Sequence, residues 1–257
     1  MHIVIDGANK EISNIYVNIS GVWKPYTTGY ANIGGVWKEF PSRGTPLGDI
    51  AVGTSVFMNV DGTSCEWIIV QQGNPDSTVY DSSCDGTWLL MKNLYTNMAW
   101  DSTDNDYANS DVHAYLNGTF INLLDSDIKN AVKTVKIPYT NGIGSTGTVA
   151  KGENGLSTQV FLLSSAELGL TASAANVEGV SLNYFDGASS SDRVAYFEGS
   201  AAHWWTRSPS KSNSTSIITI TTSGSPRPLK YTYTYYVRPA LIMPSKTRVD
   251  DSMNVIS

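Results

Sequence analysis

Residues that could carry out chemistry are few in this chain, and they form no recognised catalytic pattern. Three histidines occur, His2, His113 and His203. The sequence contains no Ser-His-Asp order, no His-Glu-x-x-His, no phosphate loop and no Gly-x-Gly-x-x-Gly. Its two cysteines, Cys65 and Cys84, are too few for a disulfide scaffold, and neither has a neighbouring histidine or metal-ligand partner. These residue types predict structural or free thiols and a protein that is not an enzyme.

One acidic loop could hold a cation. It runs from Asp101 to Asp106 and reads Asp-Ser-Thr-Asp-Asn-Asp. Carboxylate and carbonyl oxygens are the ligands that Ca²⁺ takes, so Asp101, Asp104 and Asp106 are candidate calcium ligands. The loop lacks the spacing of an EF-hand and its closing glutamate. A solvated turn is therefore the favoured interpretation and calcium is the alternative; no other cofactor is expected.

A second group of carboxylates lies in a long polar stretch between residues 171 and 202. It consists of Asp186, Asp192 and Glu198. Glycoside hydrolysis needs two carboxylates on either side of the scissile bond. No spacing in this stretch favours such a pair, so a glycan-acting enzyme is the least favoured function.

The same stretch and the segments after it are rich in tyrosine, serine, asparagine and glycine, which are the residues of adaptable recognition loops. Long loops inside a compact domain are often functional. The alternative is that the aromatic side chains simply pack beneath the loop. The candidate ligand-binding residues are Tyr184, Phe185, Tyr196, Phe197, Trp205, Lys211, Asn213, Tyr231, Tyr233 and Tyr235. If Trp204 and Trp205 lie in a strand, one of the two is expected to face outward, because successive side chains alternate.

The composition narrows the class of protein. In 257 residues, 41% are hydrophobic, 11% are aromatic and only 16% are charged, which is typical of a β-rich, loop-rich protein. The net charge of −6, without a lysine or arginine cluster, argues against a nucleic-acid partner. No segment approaches the roughly 18 apolar residues of a membrane span. The first residues lack the pattern of a signal peptide, so we expect synthesis in the cytoplasm and no membrane insertion.

The N-terminal region contains a repeat. Tyr-Val-Asn-Ile-Ser-Gly-Val-Trp-Lys begins at Tyr16, and Tyr-Ala-Asn-Ile-Gly-Gly-Val-Trp-Lys begins at Tyr30, which is 14 residues later. Glycine before each Val-Trp-Lys predicts a tight turn and a return strand. Such hairpins bury too little to be stable alone. Residues 1–43 therefore read as a small β-meander that serves as a docking or attachment module.

The remaining chain reads as one domain over residues 44–247, followed by a frayed tail over 248–257. Pro41 to Gly48 is the linker, because it holds two prolines and two glycines. Asp61-Gly62 predicts a hairpin between two apolar runs. Ser110 predicts the start of a short helix that ends at Gly118, and Asp125 opens a second one. Ser164 to Glu167 has the pattern of a capping box.

Four runs of residues together resemble a known group of domains. They are Asn109–Phe120, Val160–Glu167, Trp204–Pro209 and Val237–Leu241. In this order they resemble the C-type-lectin-like superfold of bacterial and phage proteins, the group related to formylglycine-generating enzymes and to the variable proteins of diversity-generating retroelements. The resemblance covers about residues 48–244. The Gly-Val-Trp-Lys repeat similarly looks like a module of tail proteins from phages of Gram-positive bacteria.

The resemblance implies an α+β fold with antiparallel sheets, two short helices and long loops. It implies that Arg207, Arg238 and Trp204 are structural framework residues. The physics agrees, because a guanidinium offers five donors in a fixed fork and can satisfy several loop carbonyls. Formylglycine-generating enzymes use paired cysteines late in the chain, and here both cysteines lie early. The resemblance therefore does not imply the enzymatic activity of those relatives for this chain.

The function that the sequence favours is a non-enzymatic receptor-binding or adhesion protein of a phage or prophage tail, located in the virion. Its partners would be a bacterial surface receptor, either protein or glycan, and other tail proteins bound through residues 1–43. One alternative is a retroelement-diversified protein that varies between Ser212 and Tyr235. Another is a structural tail-tip or baseplate component. A homo-oligomer is compatible with this class, although no coiled-coil heptad supports it.

Overall fold

A computed structural model of the protein describes residues 44–170 and 175–256 in full, and in the first 43 residues only the backbone of six strands. The chain divides into two compact units, residues 1–44 and residues 45–255.

The N-terminal unit contains three antiparallel hairpins. Its strands are β1 (His2–Ile5), β2 (Ala8–Glu11), β3 (Tyr16–Ile19), β4 (Val22–Pro25), β5 (Gly29–Ile33) and β6 (Val36–Phe40). The two copies of the repeat share one register, because Asn18 pairs with Trp23 and Asn32 pairs with Trp37. The prediction that each Val-Trp-Lys opens a return strand is confirmed.

The larger unit is built mostly of strands. These are β7 (Thr45–Pro46), β8 (Ser55–Val60), β9 (Thr63–Gln72), β10 (Thr87–Met91), β11 (Thr96–Ala99), β12 (Val135–Ile137), β13 (Tyr139–Asn141), β14 (Thr148–Ala150), β15 (Leu156–Thr158), β16 (Val160–Phe161), β17 (Tyr196–Phe197), β18 (Ser200–Ala201), β19 (Trp204–Pro209), β20 (Ser216–Ile220), β21 (Pro226–Lys230), β22 (Thr234–Val237), β23 (Ala240–Met243), β24 (Arg248–Val249) and β25 (Val255–Ile256).

Its helices are short. They are α1 (Asp111–Gly118) and α2 (Ser126–Ala131), with 3-10 turns at Leu47–Asp49, Ser82–Cys84, Tyr107–Asn109, Phe120–Leu123, Asn183–Phe185 and Ser190–Arg193. Strands thus dominate a mixed α+β architecture, as the sequence predicted at the level of class. Within the described parts of the chain, no helix has the length and apolarity needed to cross a bilayer.

Two five-stranded sheets form the centre of the larger unit. The first has the order β16-β23-β10-β9-β8, and the second has the order β11-β22-β19-β20-β21. Pairing is antiparallel except between β19 and β22. Every residue of β10, β19, β20 and β23 is buried. These strands read as continuous apolar or uncharged runs, with Arg207 the exception, because both of their faces are covered.

The predicted local signals hold at the first hairpin and the first helix. Asp61 and Gly62 both have positive φ, 51° and 70°, between β8 and β9. Two successive left-handed residues are what a two-residue hairpin turn requires. The hydroxyl of Ser110 accepts the N–H of His113 at 3.2 Å and so caps α1. The carboxylate of Asp125 instead accepts from the Asn59 amide at 2.9 Å and caps nothing.

The predicted capping box forms, since Ser164 N–H donates to Glu167 and Glu167 N–H donates to Ser164, and the chain continues from it as a turn. One sequence prediction is wrong. The predicted frayed tail is paired, because Arg248–Val249 lies antiparallel to Thr45–Pro46. Val249 is fully buried there, which offsets the cost of ordering the last residues.

The cap of α1 yields a stability prediction. Ser110 is buried, accepts from His113 and donates to the Tyr107 carbonyl at 2.8 Å. We expect Ser110→Ala to lower the free energy of unfolding by about 1 kcal/mol, measured by urea denaturation. Thr119→Ala is the matched control, because Thr119 is exposed and its side chain makes no cap. Equal losses in the two variants would contradict the role of the cap.

Candidate functional site

The arginine of β19 is the centre of a buried polar network. Arg207 is 0% exposed and forms a two-pronged ion pair with Glu167, in which Nη1 to Oε2 and Nη2 to Oε1 are both 2.6 Å. Its remaining N–H groups donate to the carbonyls of Pro138, Leu162 and Glu178 at 3.1, 2.8 and 3.1 Å. These contacts support the prediction that Arg207 is a framework residue. A single side chain joins four segments that are distant in sequence.

A second buried carboxylate, Glu178, lies beside this pair. Its Oε1 accepts the N–H of Thr140 at 2.6 Å and its Oε2 accepts the hydroxyl of Ser208 at 2.5 Å. Burial raises the pKa of Glu178, and the attraction of Arg207 opposes that rise only in part. One guanidinium therefore faces two carboxyl groups, of which Glu167 is the one directly paired.

A glycine makes room for the next member of the network. The Tyr80 hydroxyl donates to Glu167 Oε1 at 3.1 Å and accepts the N–H of Val180 at 3.1 Å. Burial, reinforced by the Glu167 carboxylate, raises the pKa of Tyr80, so the phenol stays a neutral donor. Gly179 has φ of +119°, and a Cβ at this position would lie 2.1 Å from the Tyr80 oxygen. Only glycine fits this site.

Arg238 is the second framework arginine and has no acidic partner among the described residues. Its Nε and Nη2 donate to the carbonyls of Met91 and Lys92 at 2.9 and 3.1 Å. Its guanidinium carbon lies 5.0 Å from the ring centre of Trp204, which is a cation–π distance. Burial lowers the pKa of Arg238 to about 10. These contacts support the framework roles predicted for Arg238 and Trp204.

Trp205 does not belong to an exposed binding surface, and the expectation that one residue of the Trp204–Trp205 pair faces outward is wrong. Both indoles are fully buried. Alternation exposes one side chain only when one face of the strand is solvated, and β19 is covered on both faces. The Trp205 Nε1–H donates to the Met98 carbonyl at 3.0 Å, and its ring lies 5.0 Å from that of Tyr235.

Two of the predicted ligand-binding tyrosines, Tyr233 and Tyr235, lie together, and the ring of Tyr235 contacts Trp205. Tyr233 is 53% exposed, and its ring centre lies 6.4 Å from that of half-buried Tyr235. The Tyr235 ring also contacts His203 at 5.3 Å. We call Tyr233, Tyr235 and His203 the tyrosine surface. Tyr231 borders it, and its hydroxyl donates to the Thr103 carbonyl at 2.6 Å.

The other aromatic candidates are dispersed. Tyr196 is 46% exposed on β17, while Phe197 packs at 4.6 Å against Tyr236. Phe185 is buried and stacks edge-on with Tyr184 at 4.9 Å. These residues do not join the tyrosine surface through any ring contact among the described residues.

The two polar candidates, Lys211 and Asn213, lie in the turn between β19 and β20. The Asn213 side chain accepts the N–H and the hydroxyl of Thr215 at 2.9 and 2.8 Å, so it shapes its own turn. Lys211 lines a cleft of about 540 Å³. Phe185 lines the same cleft, and Val180 and Ser165 do so from the segments held by Arg207.

The acidic loop uses its carboxylates as backbone caps. Asp101 is buried and accepts the N–H groups of Thr103, Asp104 and Asp111 at 2.9, 2.8 and 3.1 Å. Asp104 and Asp106 each accept an N–H two residues ahead. No group of three or more acidic, histidine or cysteine side chains suited to a metal occurs in residues 44–170 and 175–256. Calcium binding stays a prediction.

Both cysteines are free thiols. Cys84 is buried, and its Sγ donates to the Lys136 carbonyl at 3.3 Å. Burial raises the pKa of Cys84 to about 12, which makes it an inert thiol at neutral pH.

Sequence reasoning missed Glu167 and Glu178 as partners of Arg207. Glu167 was noticed only as part of a capping-box pattern, and Glu178 lies in the polar stretch without any pattern. The sequence does contain a signal for this pair. A glutamate that lies between two apolar runs, like a buried arginine, needs a partner of opposite charge.

The buried ion pair yields a second prediction. Glu167→Gln keeps the side-chain volume but removes the charge that Arg207 faces, so we expect a loss of about 3 kcal/mol in the free energy of unfolding. Glu66→Gln is the control, because it breaks the exposed Lys92–Glu66 pair of similar length, 2.7 Å, and should cost below about 1 kcal/mol. Similar losses in urea unfolding would contradict the importance of burial.

The raised pKa of Glu178 yields a pH prediction. A carboxyl group whose pKa is raised by folding contributes its stability fully below the unfolded pKa, near 4.5, and loses it as the pH rises through the folded pKa. Glutamine does not ionise. The free energy of unfolding of the wild type minus that of Glu178→Gln should therefore fall as the pH is raised from about 4 to 8.

Urea unfolding at each pH measures this difference, with the exposed Glu153→Gln as the control whose difference stays nearly flat. A wild-type advantage that grows with pH would show that Glu178 is held as the anion and would contradict the assignment.

Comparison with known proteins gives one family. The model of a domain of unknown function, DUF6273, matches residues 85–245, which is more than half of the chain and includes Arg207, Glu167 and Glu178. No curated protein matches the sequence, and no solved structure matches it. The chain belongs to the DUF6273 family.

Proposed function

We propose that the protein is a non-enzymatic binding protein that recognises a bacterial surface receptor through the tyrosine surface. The observation that carries this proposal is the exposure of Tyr233 beside Tyr235, whose ring contacts the fully buried Trp205. Large exposed apolar side chains are scarce among the described residues, and many of the aromatic rings there are buried. An exposed ring fixed from beneath is the kind of anchor that dominates binding interfaces.

The chemistry of the surface favours recognition by stacking and hydrogen bonding. Tyrosine presents a large rigid ring and a hydroxyl at low conformational cost. Tyr235 is held against Trp205 and His203, so its ring is already positioned before a ligand arrives. A glycan or a protein loop offers apolar faces and hydroxyl or amide groups to such a surface.

The domain that carries the surface is proposed to be C-type-lectin-like. Two short helices, two mainly antiparallel sheets and a long, sparsely regular stretch between β16 and β19 support that assignment. The N-terminal hairpins are proposed to dock the protein to other tail components of a phage or prophage virion. The shared register of the two repeat hairpins supports a modular unit.

Binding to cells tests the proposal. We expect Tyr233→Ala in the full-length protein to weaken saturable binding to Gram-positive cells by about tenfold or more, since loss of an anchor ring costs at least about 1.4 kcal/mol. Tyr233→Phe, which keeps the ring, should lose less. Ile143→Ala is the matched control, because Ile143 is an exposed apolar side chain outside the tyrosine surface.

Each measurement is made with and without calcium, so that a metal-dependent contribution of the acidic loop is detected separately. Binding by the wild type that Tyr233→Ala leaves unchanged would contradict recognition by this surface. Absence of binding by the wild type would favour a structural tail-tip or baseplate role.

A further inference from the structure

The cleft of about 540 Å³ contains no residue of the tyrosine surface, and its volume lies within the range of small-molecule sites. Its walls are apolar, with Leu170, Val180 and Phe185 among them. Its floor includes Ser165, which the buried network holds in place.

A chain of hydrogen bonds sets the polarity of that floor. Ser208 has one hydroxyl hydrogen, and it donates this hydrogen to Oε2 of Glu178 at 2.5 Å. The Ser208 oxygen then accepts both the N–H and the hydroxyl of Ser165, at 2.9 and 3.2 Å. The only hydrogen of the Ser165 hydroxyl is thereby used. The Ser165 oxygen has no hydrogen left to donate and can only accept a hydrogen bond. The floor of the cleft therefore presents an acceptor.

Opposite charges line the same cleft. Asp186 and Lys211 are both exposed, and neither forms an ion pair within the described part of the chain. A ligand with one positive and one negative group could engage both. An ammonium group also supplies the donor that the Ser165 oxygen lacks.

We propose that this cleft is a second binding site, for a small zwitterion with an apolar substituent, of the α-amino-acid type. The ammonium donates to Ser165 Oγ, the carboxylate pairs with Lys211, and the apolar substituent packs on Phe185 and Val180. This inference goes beyond receptor recognition and does not depend on it.

Protonation of Glu178 would reverse the chain. A protonated carboxyl donates to Ser208, whose hydroxyl then donates to Ser165, and the Ser165 hydroxyl points its hydrogen at the ligand. The charged and titratable groups packed around Glu178 are Arg207, Glu167, Tyr80 and Tyr107. Burial raises the pKa of Tyr80 and Tyr107, which therefore stay neutral, and it also raises the pKa of Glu178, which takes up a proton as the pH falls. Ammonium binding should therefore weaken as the pH falls.

Calorimetry with three matched probes tests the site in the full-length protein at pH 7. The probes are phenylalanine, phenylalanine amide, which lacks the carboxylate, and N-acetylphenylalanine, which lacks the ammonium. We expect saturable binding of phenylalanine with one site per chain, at least fivefold weaker binding of the amide, and at least tenfold weaker binding of the acetylated probe.

Two variants assign the contacts. Lys211→Gln changes an exposed side chain and should not affect folding. It should weaken the binding of phenylalanine but leave the binding of phenylalanine amide unchanged. Ser165→Ala should weaken the binding of both probes about tenfold and remove the loss of affinity that the wild type shows between pH 7 and 5. Thr222→Ala, also exposed, is the control. Absence of phenylalanine binding up to about 10 mM, or binding that Lys211→Gln and Ser165→Ala both leave unchanged, would overturn the proposal.

Discussion

The ion pair between Arg207 and Glu167 is the interaction on which the candidate sites depend. It lies in the dry interior, where two charges are stable only when their geometry is close and every remaining donor is satisfied. Here three backbone carbonyls complete the guanidinium, and a tyrosine hydroxyl and a backbone N–H complete the carboxylate. Segments with little regular structure of their own are thereby fixed to β19. The cleft is therefore lined by loops that the buried network holds in place.

The side chains of β19 contact different parts of the larger unit. Trp204 lies under Arg238, and Arg238 donates from Nε to the carbonyl of Met91, so the two side chains together connect the second sheet to the end of β10. Trp205 supports Tyr235, while Arg207 and Ser208 hold the segments that line the cleft. A strand buried on both faces can support a surface on one side and a cleft on another. The two sites therefore share a framework without sharing residues.

The sequence predicted the features that depend on local interactions. The Asp61-Gly62 turn and the Ser110 cap follow from backbone preferences of neighbouring residues, and both were found as expected. The framework arginines were predicted because a guanidinium near the end of a strand must satisfy many acceptors. Glu178 was not predicted, because its partners Thr140 and Ser208 lie 38 and 30 residues away and only tertiary packing brings them together. The exposure of Trp205 was predicted wrongly for the same reason, since alternation along a strand says nothing about what covers its second face.

The proposed contact between the tyrosine surface and the receptor can be measured on the intact protein. Hydroxyl-radical labelling of the full-length protein, alone and bound to Gram-positive cell walls, followed by peptide mass spectrometry, tests it most directly. If the tyrosine surface contacts the receptor, binding should strongly protect Tyr233 from labelling. Tyr196, which has similar exposure, should be labelled equally in the free and the bound protein. Equal labelling of Tyr233 in the free and the bound protein would contradict it.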